Sequence, residues 1–265
     1  MDRVSPTAVK RWCAMLDIST ADPVLAPQAF HWSLCPPETL TAELSPDGHP
    51  QSRDHDTAVF PRRMWASSNV EFLSPLPLDA KVERFSRVIE VKDKSGSSGM
   101  LRFVDIEHIT QAEGREAVRE LQTIVYREAP RQTPTRSSRS KERSDPTSWT
   151  WRRSLVLSEI LLFRFSALTF NSHRIHYDYP YATQIEGYPA LVAHSPLMAT
   201  LLVDLCRRQL GDQPLTSFSF RAQSPAFAGT LLHLVGRIET GSISLAALDS
   251  DGGIVMTGNA IAGRP

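Results

Sequence analysis

Two stretches 150 positions apart constrain the fold of this chain more than any other feature. Asn69 to Asp79 and Ser219 to Gly229 each run an aromatic-containing strand into a Ser-Pro step (Ser74-Pro75; Ser224-Pro225) and then a turn residue. In both places a long strand follows (Lys81 to Val91; Thr230 to Thr240). After it come a second strand, a turn (Ala112-Glu113-Gly114; Ser250-Asp251-Gly252-Gly253) and a last strand. Each half therefore ends in an antiparallel meander, and the order of elements reads as a duplication. Between Ala129 and Trp149 the composition shifts to Pro, Arg, Ser, Thr and Lys with no aliphatic residue, so that stretch has nothing to bury. The expected division is a first half over 1–130, a linker over 131–149 and a second half over 150–265, each half of ordinary domain size.

Helices are expected ahead of the strands. Thr7 to Leu16 places Val9, Trp12, Cys13 and Leu16 at helical spacing, with Pro6 and Thr7 as the start signal. Ser158 reads as the N-cap of a helix over Glu159 to Thr169 whose buried side is expected to be Ile160, Leu161, Phe163 and Leu168. Leu197 to Cys206 is apolar nearly all round, and such a helix has to be enclosed. A sheet wrapped round an enclosed helix is the hot-dog arrangement. The fold class is thus α+β, a double hot dog, with an antiparallel sheet round a helix in each repeat.

Bulk properties narrow the function. Lys plus Arg and Asp plus Glu both number 29, so no net field favours nucleic acid or an anionic membrane. Cys13, Cys35 and Cys206 are odd in number and widely spaced, which argues against disulfides and thiolate metal sites. No segment approaches the roughly 20 apolar residues of a membrane span, and the N-terminus lacks a signal-peptide core. A cytoplasmic protein acting on a small molecule is expected.

The chemistry is concentrated in Asn171-Ser172-His173-Arg174-Ile175-His176-Tyr177-Asp178 and in Leu191-Val192-Ala193-His194-Ser195-Pro196. Ser195 and Pro196 suit the N-cap and N1 positions of the enclosed helix. Its unpaired N–H groups, that of Ser195 first, would face an oxygen that turns negative. The plainer role for Ser195 is capping alone. His176 lies in a polar loop before Asp178, itself a candidate cap for a short helix, and a neutral imidazole there can take and return a proton. His31, His49, His55, His108 and His233 are expected to be structural hydrogen-bonders. A rival constellation, His176 and Asp178 with His194 or His173, has the composition of a two-histidine, one-carboxylate iron site.

The 171–178 segment followed by Ala193-His194-Ser195-Pro196 resembles the hydratase motif of MaoC-like (R)-specific enoyl-CoA hydratases, in which an Asp and a His five residues apart activate water. It resembles more closely the branch of type 2 hydroxyacyl-thioester dehydratases and of itaconyl-CoA and mesaconyl-C4-CoA hydratases. Leu44 to Pro50 and Pro61 to Ala66 extend the likeness. The resemblance implies a double hot dog acting on CoA thioesters, with His176 and Asn171 catalytic and Ser195 and His194 at the thioester oxygen. It implies no metal and no cofactor beyond the coenzyme A of the substrate. Asn171 stands where the wider family has Asp and cannot exchange a proton in the physiological range. Ser195 stands where Gly is usual. Arg62, Arg63, Trp65, Arg174 and Tyr177 are candidate substrate-binding residues, an arginine before Trp65 being suited to a second carboxylate; the plainer reading makes Arg62 and Arg63 exposed strand-edge residues. The expected substrate is a short C5-dicarboxylyl-CoA, itaconyl-CoA first and mesaconyl-C4-CoA next. The alternatives are a 3-hydroxyacyl-thioester dehydratase of fatty-acid metabolism and an inactive acyl-thioester-binding protein. A homodimer is compatible, although two fused hot dogs already mimic the usual pair.

Overall fold

A computed structural model describes residues 1–19, 23–51, 60, 62–96, 99–127, 142–211 and 213–263. The first half contributes β1 (Asp2–Arg3), α1 (Pro6–Met15), β2 (Arg62–Phe72), β3 (Lys81–Gly96), β4 (Gly99–Ala112) and β5 (Arg115–Arg127). The second contributes β6 (Trp151–Val156), α2 (Glu159–Thr169), α3 (Ser195–Leu210), β7 (Leu215–Ala222), β8 (Leu231–Glu239), β9 (Ser242–Leu248) and β10 (Ile254–Ala262). All ten strands form one sheet in the order β1-β3-β4-β5-β2-β7-β10-β9-β8-β6. The halves meet where β2 runs antiparallel to β7.

At that seam Asn69 pairs with Ser219, two residues 150 positions apart, so a pseudo-twofold axis passes through the pair. Hydrogen bonds repeat about it. Asp79 N–H donates to Val4 O and Gly229 N–H to Leu157 O, both at 2.8 Å, and both donors have positive φ. The Ser-Pro steps also correspond, since Ser74 N–H reaches Ala117 O as Ser224 N–H reaches Val255 O.

The enclosed helix is α3. Eleven consecutive residues, Pro196 to Cys206, are buried beneath β7–β10 and at the seam. Each large apolar side chain among them contributes about 1.5–3 kcal/mol by leaving water. Asp204 is buried with them, and Arg153 Nη1 (2.7 Å), Arg207 Nε (2.9 Å) and Arg208 Nε (2.7 Å) neutralise it. Arg208 Nη2 also donates to Leu16 O, tying α3 to the end of α1.

In the first half the corresponding place is different. Leu25 bridges Pro77 as Val192 bridges Phe227, but the chain then forms only short 3-10 turns, Phe30–Ser33 and Thr41–Glu43, where the second half has the 16 residues of α3. Pro36 and Pro37 account for this, since proline does not extend a helix interior. The sheet there faces a cavity of about 1110 Å³.

Two helix details depart from expectation. Ser5 rather than Thr7 caps α1, its Oγ accepting from Ala8 N. On α2 the buried residues are Leu162, Phe165 and Ser166, whereas Ile160 and Phe163 are 68% and 65% exposed. The sequence of α2 is apolar on almost every side, so periodicity could not select its face. Ser158 does cap it, accepting from Leu161 N at 3.1 Å. Most of the expected linker, and His55, lie outside the described residues. Glu142 to Trp149 runs along the β9–β10 turn, with Ser144 N–H donating to Gly252 O. Among the described residues no helix is long and apolar enough to cross a membrane.

Candidate active site

The loop after α2 is folded by its own side chains. Phe170 closes α2 in the left-handed conformation, and Asn171 Oδ1 accepts from His173 N at 2.9 Å. Asp178 Oδ1 accepts from Tyr181 N, capping the next turn as its position suggested. A first-half loop then clamps this segment. Ser172 Oγ donates to Gly48 O (2.6 Å), Arg174 N to Asp47 O (2.8 Å) and Arg174 Nη1 to Pro46 O (2.9 Å). Gly48 has φ +90°, and a Cβ there would stand 1.9 Å from Ser172 O, so only glycine permits the approach.

His176 is buried, and its Nδ1–H donates to Val192 O at 2.7 Å, which leaves the Nε2 lone pair free. Burial pushes its pKa down to about 4, against the opposing pull of the Val192 hydrogen bond, so the ring is neutral at physiological pH. It stacks on His194 with centroids 3.6 Å apart and planes 23° from parallel. His194 is held through Nε2 by Ser166 Oγ (2.9 Å), while its buried Nδ1 has no partner among the described residues. His173 meets His176 edge-on at 5.2 Å, and burial, with the charges of its neighbours, lowers its pKa also.

One expectation about α3 is corrected. His194, with extended backbone and its carbonyl accepting from Met198 N, is the N-cap; Ser195 is the first helical residue and Pro196 the second. The Ser195 N–H is therefore one of the helix's orphan donors, without an acceptor among the described residues, at the positive end of a buried dipole. Both Ser195 and His194 line the cavity, with Asn171, His173, His176 and Arg63.

The arginines separate sharply. Arg62 is committed to Glu186, donating Nη2 to its backbone oxygen (2.9 Å) and pairing with Oε2 at 2.8 Å, neither an exposed edge residue nor a free one. Arg174 is likewise occupied, by Asp178 through Nε (3.0 Å) and Nη2 (2.8 Å), by Pro46 and by the Tyr181 ring beneath it. Arg63 differs: its Nε is buried without a hydrogen-bond partner among the described residues, and its charge is felt by His173. Tyr177 is half exposed and donates to Ser172 O.

Trp65 lines the cavity and begins a chain that sequence reasoning missed. Its Nε1 donates to Ser68 Oγ (2.8 Å), which donates to buried Glu120 (2.6 Å), which also accepts from Trp32 Nε1. Arg84, His108 and Gln122 continue this polar wall, Arg84 donating to His31 O and His108 Nε2 meeting Gln122 Oε1 at 3.2 Å. These residues lie on separate strands, so no local motif announces them.

The iron-type triad is not assembled, because Asp178 is spent on Arg174 and the Tyr181 cap. Among the described residues one group, Asp47, His49 and His173, brings potential ligand atoms within 4.8 Å. There His49 Nδ1 already donates to Asp47 Oδ2 at 2.8 Å and the two imidazoles lie tilted by 40° with centroids 4.0 Å apart, the geometry of a hydrogen-bonded dyad rather than a metal cage.

A duplicated hot dog with a histidine loop at the N-terminus of its enclosed helix defines a MaoC-like architecture. Solved structures agree in fold: HtdX of Mycobacterium tuberculosis superposes with TM-score 0.72 at 15% identity over 98% of this chain and 97% of that one. A MaoC-like dehydratase of Phytophthora capsici also gives 0.72 at 15% identity, over 98% and 93%. The profile of the hydroxyacyl-thioester dehydratase type 2 family matches residues 29–228, and the chain belongs to that family. It is 39% identical over 241 residues to the mesaconyl-C(4)-CoA hydratase of Chloroflexus aurantiacus, spanning 90% of this chain and 84% of that protein. To the mitochondrial hydroxyacyl-thioester dehydratase type 2 of Schizosaccharomyces pombe it is 28% identical, over 83% and 79%. It is an enzyme of the hydratase/dehydratase type acting on acyl thioesters.

Proposed function

We propose that the chain hydrates a short C5-dicarboxylyl-CoA, with mesaconyl-C4-CoA ahead of itaconyl-CoA. The observation that carries this is Arg63, a half-buried arginine in the cavity wall whose Nε is buried without a partner among the described residues, while neighbouring Arg62 is neutralised by Glu186. A buried N–H left without an acceptor is costly, and a substrate carboxylate would supply one. In mesaconyl-C4-CoA the carboxylate sits on the β-carbon, next to where water must add. The polar wall of Arg84, His108 and Gln122 suits such a group and is unfavourable to a long aliphatic chain.

In this reading the thioester oxygen accepts from the Ser195 N–H, Asn171 holds the water, and His176 Nε2 takes its proton as oxygen bonds to the β-carbon. Coenzyme A enters as part of the substrate, and protein side chains carry the protons. Oxyanion stabilisation helps only when the double bond is conjugated with the thioester carbonyl. Mesaconyl-C4-CoA satisfies that condition and itaconyl-CoA, unsaturated one carbon further out, does not. The 39% identity to a protein named for the former points the same way and reverses the order expected from sequence.

Loss of enoyl-thioester absorbance over a panel of monocarboxylic and dicarboxylic enoyl-CoA substrates tests the assignment. Arg63→Met should lower kcat/KM on mesaconyl-C4-CoA at least about 10²-fold and on crotonyl-CoA only slightly. Equal losses on both would mean that Arg63 serves the fold or the CoA phosphates. A wild-type preference for long aliphatic enoyl-CoA would move the protein to fatty-acid dehydration.

A further inference from the structure

Hydration of an enoyl thioester moves two protons: one leaves water as its oxygen attacks the β-carbon, and one arrives at the α-carbon. His176 can account for the first. Asn171 can account for neither, because a carboxamide does not exchange protons in the working range and its Oδ1 is already bound to His173 N. A second carrier in the same cavity would deliver the other proton without His176 having to serve both carbons.

We propose that His49, held by Asp47, is that carrier and donates to the α-carbon. His49 belongs to the first half, yet the Gly48 contact with Ser172 brings its loop against the catalytic loop. Its ring lies 4.0 Å from that of His173, which in turn lies 5.2 Å from His176. Nδ1–H donates to Asp47 Oδ2, and Asp47 Oδ1 accepts from the His49 backbone N at 3.0 Å, so the carboxylate fixes both ring and backbone. Nε2 has no partner among the described residues, and His49 lines the cavity. A carboxylate orienting an imidazole whose far nitrogen faces substrate is the arrangement of a working acid–base histidine. Burial would raise the Asp47 carboxyl, but the hydrogen bonds from His49 hold it below the usual range, so it is ionised and would stabilise positive charge on the ring during proton transfer.

The step balances. Water oxygen bonds to the β-carbon while His176 Nε2 takes its proton, and the alkene electron pair moves to the α-carbon and the thioester oxygen at Ser195 N–H. The α-carbon then takes the proton from His49 Nε2, leaving His49 neutral and His176 charged. Solvent reprotonates His49, whose side chain keeps 18% of its surface exposed, and His176 releases its proton through the cavity it lines. Dehydration runs the same path backwards. The inference rests on the hydratase chemistry and not on the acyl group, so crotonyl-CoA suffices to test it, and it can fail while the C5 assignment stands.

His49→Asn keeps an N–H donor for Asp47 but cannot carry a proton. The expected result is a kcat loss of at least about 10²-fold on crotonyl-CoA with KM changed by less than about threefold, and a larger solvent deuterium effect on kcat. His49→Ala should recover activity with added imidazole, which a packing defect would not. Asp47→Asn, retaining the acceptor oxygen but not the charge, should lose about tenfold in kcat, with the solvent isotope effect again raised. Wild-type kcat in His49→Asn overturns the proposal. So does a loss confined to KM, or one with an unchanged isotope effect and no imidazole rescue in a protein of normal melting temperature.

Discussion

His176 and His194 lie face to face at 3.6 Å, a stacking that two positively charged rings would not sustain. Both are buried, and burial lowers both pKa values. In the unfolded chain each titrates near 6.5, whereas folded His176 titrates near 4. Between those values the unfolded state binds more protons, so stability is full above pH 6.5 and is lost as pH falls toward 4. For His176 alone the loss is on the order of 3 kcal/mol. Urea denaturation at pH 7 and pH 5 should show about 2 kcal/mol of it, and equal midpoints would contradict neutral burial.

Gly48 should tolerate no side chain. Its φ of +90° and the 1.9 Å approach to Ser172 O oblige Gly48→Ala to push the two loops apart, at a cost of about 2 kcal/mol or more. Thermal melting would report the stability loss. Activity should fall more steeply than stability, because the loop proposed to carry Asn171 and His176 as catalytic groups is clamped there.

Ser195→Gly distinguishes hydroxyl from backbone. As the first residue of α3 rather than its cap, Ser195 gives up little on becoming glycine, within about 1 kcal/mol, and the N–H stays in place. The expected kcat lies within a few-fold of wild type. A loss of 10²-fold or more in a stable protein would make the hydroxyl catalytic.

Asp204→Asn removes the charge on which Arg153, Arg207 and Arg208 converge and leaves the shape of α3 unchanged. The arginines reach solvent, so the penalty belongs at the low end for a buried ion pair, about 2 kcal/mol. Differential scanning calorimetry should show a lower Tm, with kcat at 25 °C unaffected.

Much of this architecture was legible because it is written locally. The Ser-Pro repeat, the apolar stretch of α3 and the loop around His176 are contiguous in sequence, and each has a short-range signature. The face of α2 was not legible, because a helix apolar on all sides is assigned by its neighbours. Nor was the division between Arg62 and Arg63, since adjacent strand residues point to opposite faces and the decisive partner, Glu186, lies 124 positions away. His49 was expected to be structural. Its nearness to His173 arises from a glycine contact between the halves that no spacing announces.

The pseudo-twofold axis at Asn69 and Ser219 bears on how such an enzyme can change. Two identical hot dogs would carry two identical helices, and neither could be dismantled without damaging both sites. Fusion into one chain frees one copy from that obligation. Here the first repeat has short 3-10 turns, Phe30–Ser33 and Thr41–Glu43, in place of the helix, and that space is part of a cavity to which both repeats contribute and which, on the proposed reading, takes the acyl group. Residues on β3, β4 and β5 can thus drift toward a new acyl group while α3 and the His176 loop stay as they are, so that selectivity and reaction are inherited separately within one polypeptide.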